Sequence, residues 1–272
     1  MSANTAADHT VDPATNACSC GSDHDHGPTG SDVVQGLGKG FAVLSLAVPA
    51  LAIVLIAGSL ILTPSSPLVL LLGIGMGLGH LASLIALSAV ASRVAGDLAN
   101  SPVLLVARVG FEEALRLAVV LLGLVLFVGE GPGPLGLWIG VGAMTVWAVL
   151  TTAQLVMSRR RILRPGDWSK NTVLSVLNDK LSVRRAMTMR FVDIAAVLIF
   201  QLAATVLVAA APIMAGAAFI LSVASGFSTL VVQRYSAERR ARSPWLYAPI
   251  VISVLTLLLA IALVLVPATI GV

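Results

Sequence analysis

Two adjacent glutamates and two arginines lie within one otherwise apolar stretch of the chain. The segment GFEEALRLAVV (110–120) contains Glu112, Glu113 and Arg116, and Arg108 precedes it. On a helix, residues three or four apart are neighbours, so Arg108, Glu112 and Arg116 are expected to share one face, and Glu113 lies three residues from Arg116. A carboxylate held in apolar surroundings beside a guanidinium is a candidate general base or proton carrier. Glu112 and Glu113 are therefore candidate catalytic residues, with Arg116 as their basic partner.

The same four charges also permit an interpretation without chemistry. A charge at the centre of a membrane helix costs about 2.5–3.5 kcal/mol, whereas each Leu, Val or Phe returns only about 0.3–0.6 kcal/mol. Four charges therefore roughly cancel the apolar gain of one helix, and they are expected to neutralise one another and face protein rather than lipid. A variant places residues 100–113 along the inner interface, with a short span beginning near Ala114.

One histidine, His80, also falls within an apolar stretch, GIGMGLGHLASLIAL (73–87). Opposite the glutamate pair, it would be a candidate catalytic hydrogen-bond partner or a metal ligand. A lone histidine on a glycine-rich helix is more often a packed, hydrogen-bonded residue, which is the alternative interpretation.

Small and amide side chains predict how the helices pack. Gln154 and Gln201 are expected to form hydrogen bonds between helices. Glycines at small-xxx-small spacing let helices approach closely. They are Gly73, Gly75, Gly77 and Gly79, and Gly136 with Gly140.

The amino-terminal segment ACSCGSDHDHG holds Cys18, Cys20, His24 and His26 close together. Thiolate and imidazole are ligands that zinc, copper(I) and nickel prefer, so these four residues are a candidate metal site, with zinc as the candidate ion. The spacing is not that of a folded zinc module, and the surrounding composition cannot bury a core. A plain disordered tail is therefore the alternative interpretation.

The elements that must position these residues follow from composition. The 272-residue chain is 57% hydrophobic and only 11% charged, which is too apolar for a soluble domain. Apolar windows of about 20 residues predict an all-α, polytopic transmembrane helix bundle of about seven spans. The windows are 41–63, 67–92, 103–128, 134–157, 191–210, 212–232 and 246–269, and Pro212 is expected to break the fifth from the sixth.

Basic residues set the predicted orientation. Of 17 Lys and Arg, nine lie in 158–190 and four in 233–245, so both loops are expected to be cytoplasmic. Seven spans then place the N-terminus in the cytoplasm and the C-terminus outside, in a multi-pass protein of the cell membrane. The positive charge is explained by topology, and no nucleic-acid partner is expected.

The chain is accordingly divided into two parts. Residues 1–38 are expected to form a disordered, polar cytoplasmic tail, and residues 39–272 the seven-helix domain. Within the 158–190 loop, apolar residues at helical spacing predict a basic amphipathic helix lying on the inner leaflet, with membrane lipids as partners. A solvated loop is the alternative. The apolar residues are Val173, Leu174, Leu177 and Leu181.

Two segments together resemble a known family. FEEALR (111–116), followed by the glycine-punctuated GLWIGVGAMTVWAVLTTAQ (136–154), is similar to the first two motif regions of the intramembrane proteases of the CAAX-processing and bacteriocin-processing (CPBP) type, with their PrsW and YhfC-like relatives. The resemblance implies that Glu112 or Glu113 activates water for hydrolysis of a peptide or membrane-protein substrate. Arg116 would be the basic residue of the motif.

The chain departs from that family in the second motif. Where the relatives carry a histidine or glutamate, it has Ala143, Thr145 and Trp147, and no histidine follows His80. A degenerate, inactive member therefore fits the same residues. The alternative from another class is a non-enzymatic transporter, channel or immunity-type membrane component with a buried charged helix face.

Overall fold

The computed structural model describes residues 29–63, 66–94, 101–178, 182–235 and 243–265. Over these ranges the chain is helical, and the predicted all-α polytopic bundle is confirmed. The eight α-helices are α1 (Gly30–Leu62), α2 (Pro67–Val94), α3 (Pro102–Leu126), α4 (Pro132–Ile162), α5 (Asp167–Asn178), α6 (Val183–Ala210), α7 (Ala215–Gln233) and α8 (Ala248–Leu265).

Six of these helices are long and apolar enough to cross a membrane: α1, α2, α4, α6, α7 and α8. Helix α3, with 25 residues, is also long enough but carries four charged side chains. Its role as the seventh span stays a prediction.

Prolines and polar caps define several helix starts. Pro67, Pro102 and Pro132 each occupy the first position of a helix, where the missing N–H costs nothing. Ser101 caps α3 by accepting a hydrogen bond from the backbone N–H of Val103 (3.2 Å). The α6–α7 break is also confirmed, because α6 ends at Ala210 and a 3-10 turn over Pro212–Met214 precedes α7.

Helices α4 and α6 pack against each other at the centre of the bundle. Helix α4 also contacts α1 and α2, and α6 also contacts α8. Ile139 of α4 and Val208 of α6 are fully buried in a shared hydrophobic cluster. Helix α3 closes the bundle by packing between α2 and α7, which places its charged face next to the central pair.

Glycine permits the closest helix contact, between α2 and α4. A Cβ added at Gly142 would overlap the carbonyl oxygen of Leu70, and one at Gly73 would overlap that of Ile139. These positions therefore require glycine, and the predicted close packing is confirmed for Gly73. Gly75 is different, since an added Cβ there would meet nothing within 4 Å.

The predicted tail is too long. Helix α1 begins at Gly30 rather than near residue 41, so residues 30–38 are helical. The reason is a capping box in which the Thr29 side chain accepts from the backbone of Asp32 and the Asp32 side chain accepts from that of Thr29. Residues 1–28, which include Cys18, Cys20, His24 and His26, lie outside the described residues.

The predicted 158–190 loop is largely helical. Helix α4 continues to Ile162, α5 follows, and α6 begins at Val183. The amphipathic α5 exists, and Val173 and Leu177 on its apolar side pack against Val33, Leu37 and Ile162. Its contact with the inner leaflet stays a prediction. Leu174 is exposed. Leu181 and residues 236–242 of the second basic segment lie outside the described residues.

Candidate functional site

The charges of α3 lie on its buried side. Glu112, Glu113 and Arg116 are only 7%, 5% and 1% exposed. They continue a stripe of buried residues from Val109 to Val120 along the same helix, with the spacing expected for one helix face. The expectation that these side chains face protein is confirmed.

Two ion pairs neutralise the charges within α3. The Arg108 Nε donates to Glu112 Oε1 at 2.7 Å, and one η nitrogen of Arg116 contacts both carboxylate oxygens of Glu113. The two acids therefore differ. Glu113 has both oxygens engaged, whereas Glu112 Oε2 has no hydrogen-bond donor among the residues that the structure describes.

Arg116 joins α3 to the central helix α6. Its second η nitrogen donates to Gln201 Oε1 at 2.7 Å, and its guanidinium carbon lies 5.8 Å from the centre of the Phe200 ring, within the range of a cation–π contact. The predicted interhelical role of Gln201 is confirmed. Gln154 is exposed instead.

His80 is fully buried beside the charged helix, and its hydrogen bond goes to the backbone of that helix rather than to a carboxylate. Its Nε2 lies 3.0 Å from the backbone carbonyl oxygen of Glu112. Because a carbonyl only accepts, Nε2 must be the donor, so it is not free to bind a metal or accept a proton. His80 thus links α2 to α3, and its buried Nδ1 has no hydrogen-bond partner within the described part of the chain.

A cavity of about 570 Å³ lies next to Glu112, between α3, α6, α7 and α8. Arg108 and Glu112 line it, together with Gln201 and Trp147. Glu113, Arg116 and His80 are not among its lining residues. Of the predicted site residues within the described ranges, the fold therefore brings only Glu112 to this cavity, with Arg108.

Helix α7 contributes a polar edge that the sequence arguments missed. Ser222, Ser225, Gly226 and Thr229 all line the cavity. They are separated by three, one and three residues, a pattern that places all four on one face of the helix. A search for small polar residues at helical spacing would have found this stripe, although not the cavity that it faces.

The described residues contain no group of three or more His, Cys, Asp or Glu side chains placed to hold a metal ion. The candidate zinc ligands Cys18, Cys20, His24 and His26 fall outside those residues. Zinc binding by the tail stays a prediction.

Comparisons of the chain with family models, with curated proteins and with solved structures found no match. The structure nevertheless fixes the class. This is an integral membrane protein built of helices. The resemblance to the CPBP-type proteases therefore stays a prediction, carried by the FEEALR segment and the glycine-punctuated helix that follows it.

Proposed function

We propose that this chain is a multi-pass protein of the cell membrane that binds a small ligand in the cavity as a step of transport. The observation that carries the proposal is the position of the Arg108–Glu112 pair. Both residues line a cavity of about 570 Å³, which lies within the range of small-molecule sites, roughly 300–1,000 Å³. A charged pair inside a membrane bundle typically marks a substrate pathway.

The cavity lies toward the side that we predict to be cytoplasmic. It is lined by the C-terminal part of α2, the N-terminal halves of α3 and α8, the C-terminal half of α7 and the middle of α6. The lining parts of α7 and α8 adjoin the basic segment 233–245, which the positive-inside rule places in the cytoplasm. We therefore propose an inward-facing binding site.

Several hydroxyl groups suit the cavity for a polar ligand. The hydroxyls of Ser88, Thr229 and Ser253 each donate to a carbonyl of their own helix. Because a hydroxyl that donates still has acceptor lone pairs, these groups can accept hydrogen bonds from a ligand. Together with Glu112 Oε2 they form an acceptor-rich surface.

Cysteine labelling tests whether water reaches this cavity from the cytoplasm. The chain has only two cysteines, so C18S/C20S gives a cysteine-free background. Ser222→Cys places a thiol in the cavity about 16 Å from the end of α7 at 1.5 Å per residue. We expect it to react with a membrane-impermeant maleimide in inside-out vesicles but not in right-side-out vesicles.

Two controls bracket that result. Ile220 lies two residues before Ser222, does not line the cavity and is 66% exposed. We expect lipid to protect the thiol of Ile220→Cys from the maleimide. Ser158→Cys, partly exposed near the end of α4, should react in inside-out vesicles. A Ser222→Cys protein that resists labelling while Ser158→Cys reacts would contradict the proposal.

Peptide hydrolysis is the second candidate function. It is favoured by one observation, the open Oε2 of Glu112 in a cavity, where a carboxylate could accept a proton from water. Glu113 is a weaker candidate base because Arg116 holds both its oxygens. Mass spectrometry of peptides from cells with wild-type, Glu112→Gln or Glu113→Gln protein tests this function. Hydrolysis predicts that Glu112→Gln removes the product peptides, and cleavage that survives both substitutions rules it out.

A further inference from the structure

We infer that the ligand of this cavity is a small zwitterion with an apolar side chain, namely a free amino acid or a short peptide. The inference rests on the proposed function and names the ligand class of the same site. It follows from three features of the cavity: two open charged groups of opposite sign, zero net charge around them, and an apolar wall.

The two charged groups each keep an open position. Arg108 uses Nε for Glu112, and among the described residues its two η nitrogens have no hydrogen-bond partner. Glu112 uses Oε1 for Arg108, and Oε2 stays open. Because the 2.7 Å pair holds the two side chains together, an open donor set and an open acceptor lie side by side. A ligand carboxylate fits the guanidinium, and a ligand ammonium fits Oε2.

The charge of the surroundings favours a ligand without net charge. Arg108, Glu112, Glu113 and Arg116 sum to zero, and each acid is already paired. A ligand with only one charge would leave that charge uncompensated in a bundle of low dielectric, which is costly. A zwitterion brings one charge for each open group and keeps the total at zero.

The rest of the wall is mostly apolar. Leu104, Leu105 and Val109 of α3 lie on one side of the cavity, and Val197 and Phe200 of α6 lie on another. Apolar side chains of a ligand would lose water on entering this region, which favours binding. Amino acids or short peptides with aliphatic or aromatic side chains therefore match the cavity better than fully polar zwitterions.

The test uses purified full-length protein in detergent and three forms of one enzymatic casein hydrolysate, which supplies free amino acids and short peptides. The first form is unmodified, the second is N-acetylated to remove the ammonium charge, and the third is methyl-esterified to remove the carboxylate charge. A ligand that binds only the folded protein raises its unfolding temperature. We expect the unmodified hydrolysate to raise it by about 2–4 °C, and both modified forms to leave it unchanged.

Variants assign any shift to the cavity. Glu112→Gln and Arg108→Gln should each abolish the shift in unfolding temperature. The control for Arg108→Gln is Arg160→Gln, which also removes one positive charge but at the exposed end of α4, and it should keep the shift. An equal shift with the acetylated or the esterified hydrolysate would overturn the zwitterion, and so would no shift with the unmodified one. Comparing the three hydrolysate forms on the wild-type protein tests the zwitterion inference even if a variant fails to fold.

The inference and the proposed function can fail separately. If Ser222→Cys is labelled from the cytoplasmic side but no hydrolysate acts, the water-filled cavity stands and the ligand class is wrong. If Ser222→Cys is not labelled while its positive control is, the proposed function itself falls.

Discussion

Glu112 and Glu113 are adjacent in sequence but have different surroundings. The Glu113 carboxylate is held by Arg116 deep in the bundle, whereas Glu112 pairs with Arg108 at a cavity wall. The side chain of Arg108 is 36% exposed and that of Arg116 only 1%. We therefore assign a structural role to the Glu113–Arg116 pair and a binding role to the Arg108–Glu112 pair.

The first prediction compares the two arginines. Arg116→Gln leaves the Glu113 charge buried without its partner, and breaking a buried pair in this way typically costs about 3–5 kcal/mol. Arg108→Gln should cost clearly less, because the Arg108 side chain is 36% exposed and its pair is less deeply buried than that of Arg116. Thermal unfolding of the two detergent-solubilised variants measures the difference. Equal destabilisation would contradict the structural role of Arg116.

The second prediction concerns His80. A glutamine side chain can place an amide N–H near the position of the imidazole Nε2, so His80→Gln should keep the hydrogen bond to the Glu112 carbonyl. His80→Leu removes it and should lower stability by about 0.5–1.5 kcal/mol more than His80→Gln. Thermal unfolding distinguishes the two variants. If function is lost equally in both while stability differs, His80 has a chemical role that this hydrogen bond does not explain.

At the scale of elements, the α2–α4 contact fixes where α3 can lie. Backbone approaches at Gly73 and Gly142 bring α2 against α4, and His80 then joins α2 to α3. The glycines of α2 and α4 thus position the charged helix indirectly.

The third prediction follows from this contact. Gly142→Ala places a Cβ against the backbone of Leu70 and Ile74, which cannot move aside as a side chain can, so we expect a loss of at least about 1–3 kcal/mol. Gly75→Ala is the matched control, because space is open there and alanine favours helix by about 0.5–1 kcal/mol. Thermal unfolding midpoints should therefore shift in opposite directions. A stable Gly142→Ala protein would mean that the two helices do not approach this closely.

The fourth prediction concerns α5. Leu177→Ser should detach this helix, since Leu177 packs in the cluster formed with Val33, Leu37 and Ile162. Leu174→Ser changes a residue that is 53% exposed and should leave the helix in place. Trypsin cleavage at Lys170 in inside-out vesicles should be faster only in the first variant. The opposite order would show that α5 is held by the leaflet through Leu174.

At the scale of the whole molecule, the number of spans depends on α3. Six helices are apolar enough to cross a membrane, and α3 has the necessary length but four charges. If its ion pairs offset the cost of burying those charges, α3 crosses the membrane as the seventh span. The N-terminus and the C-terminus then lie on opposite sides of the membrane.

The fifth prediction tests this topology. In the cysteine-free background, Asn100→Cys lies before α3 and Gly129→Cys after it, where an added Cβ meets nothing within 4 Å. We expect an impermeant maleimide to label the first in inside-out vesicles and the second in right-side-out vesicles. Labelling of both from the same side would show that α3 does not cross and that the seven-span prediction is wrong.

The sequence by itself determined the membrane class, most helix positions and the inward orientation of the α3 charges. These follow from composition and local spacing, because burying an ion in lipid costs more than a helix can return. The same local arguments placed the α6–α7 break at Pro212 and identified Gln201 as an interhelical partner. They placed the start of α1 too late, because its capping box lies outside the apolar window.

Only the tertiary structure decided which glutamate meets the cavity and what His80 contacts. Both depend on how α2, α6 and α7 pack around α3, and residues such as Ser222 and Gln201 reach that site from helices that are distant from α3 in the sequence. Spacing along one helix defines a face, but the partners of that face are set by long-range packing. Glu112 and Glu113 differ for this reason, although they are adjacent in the chain.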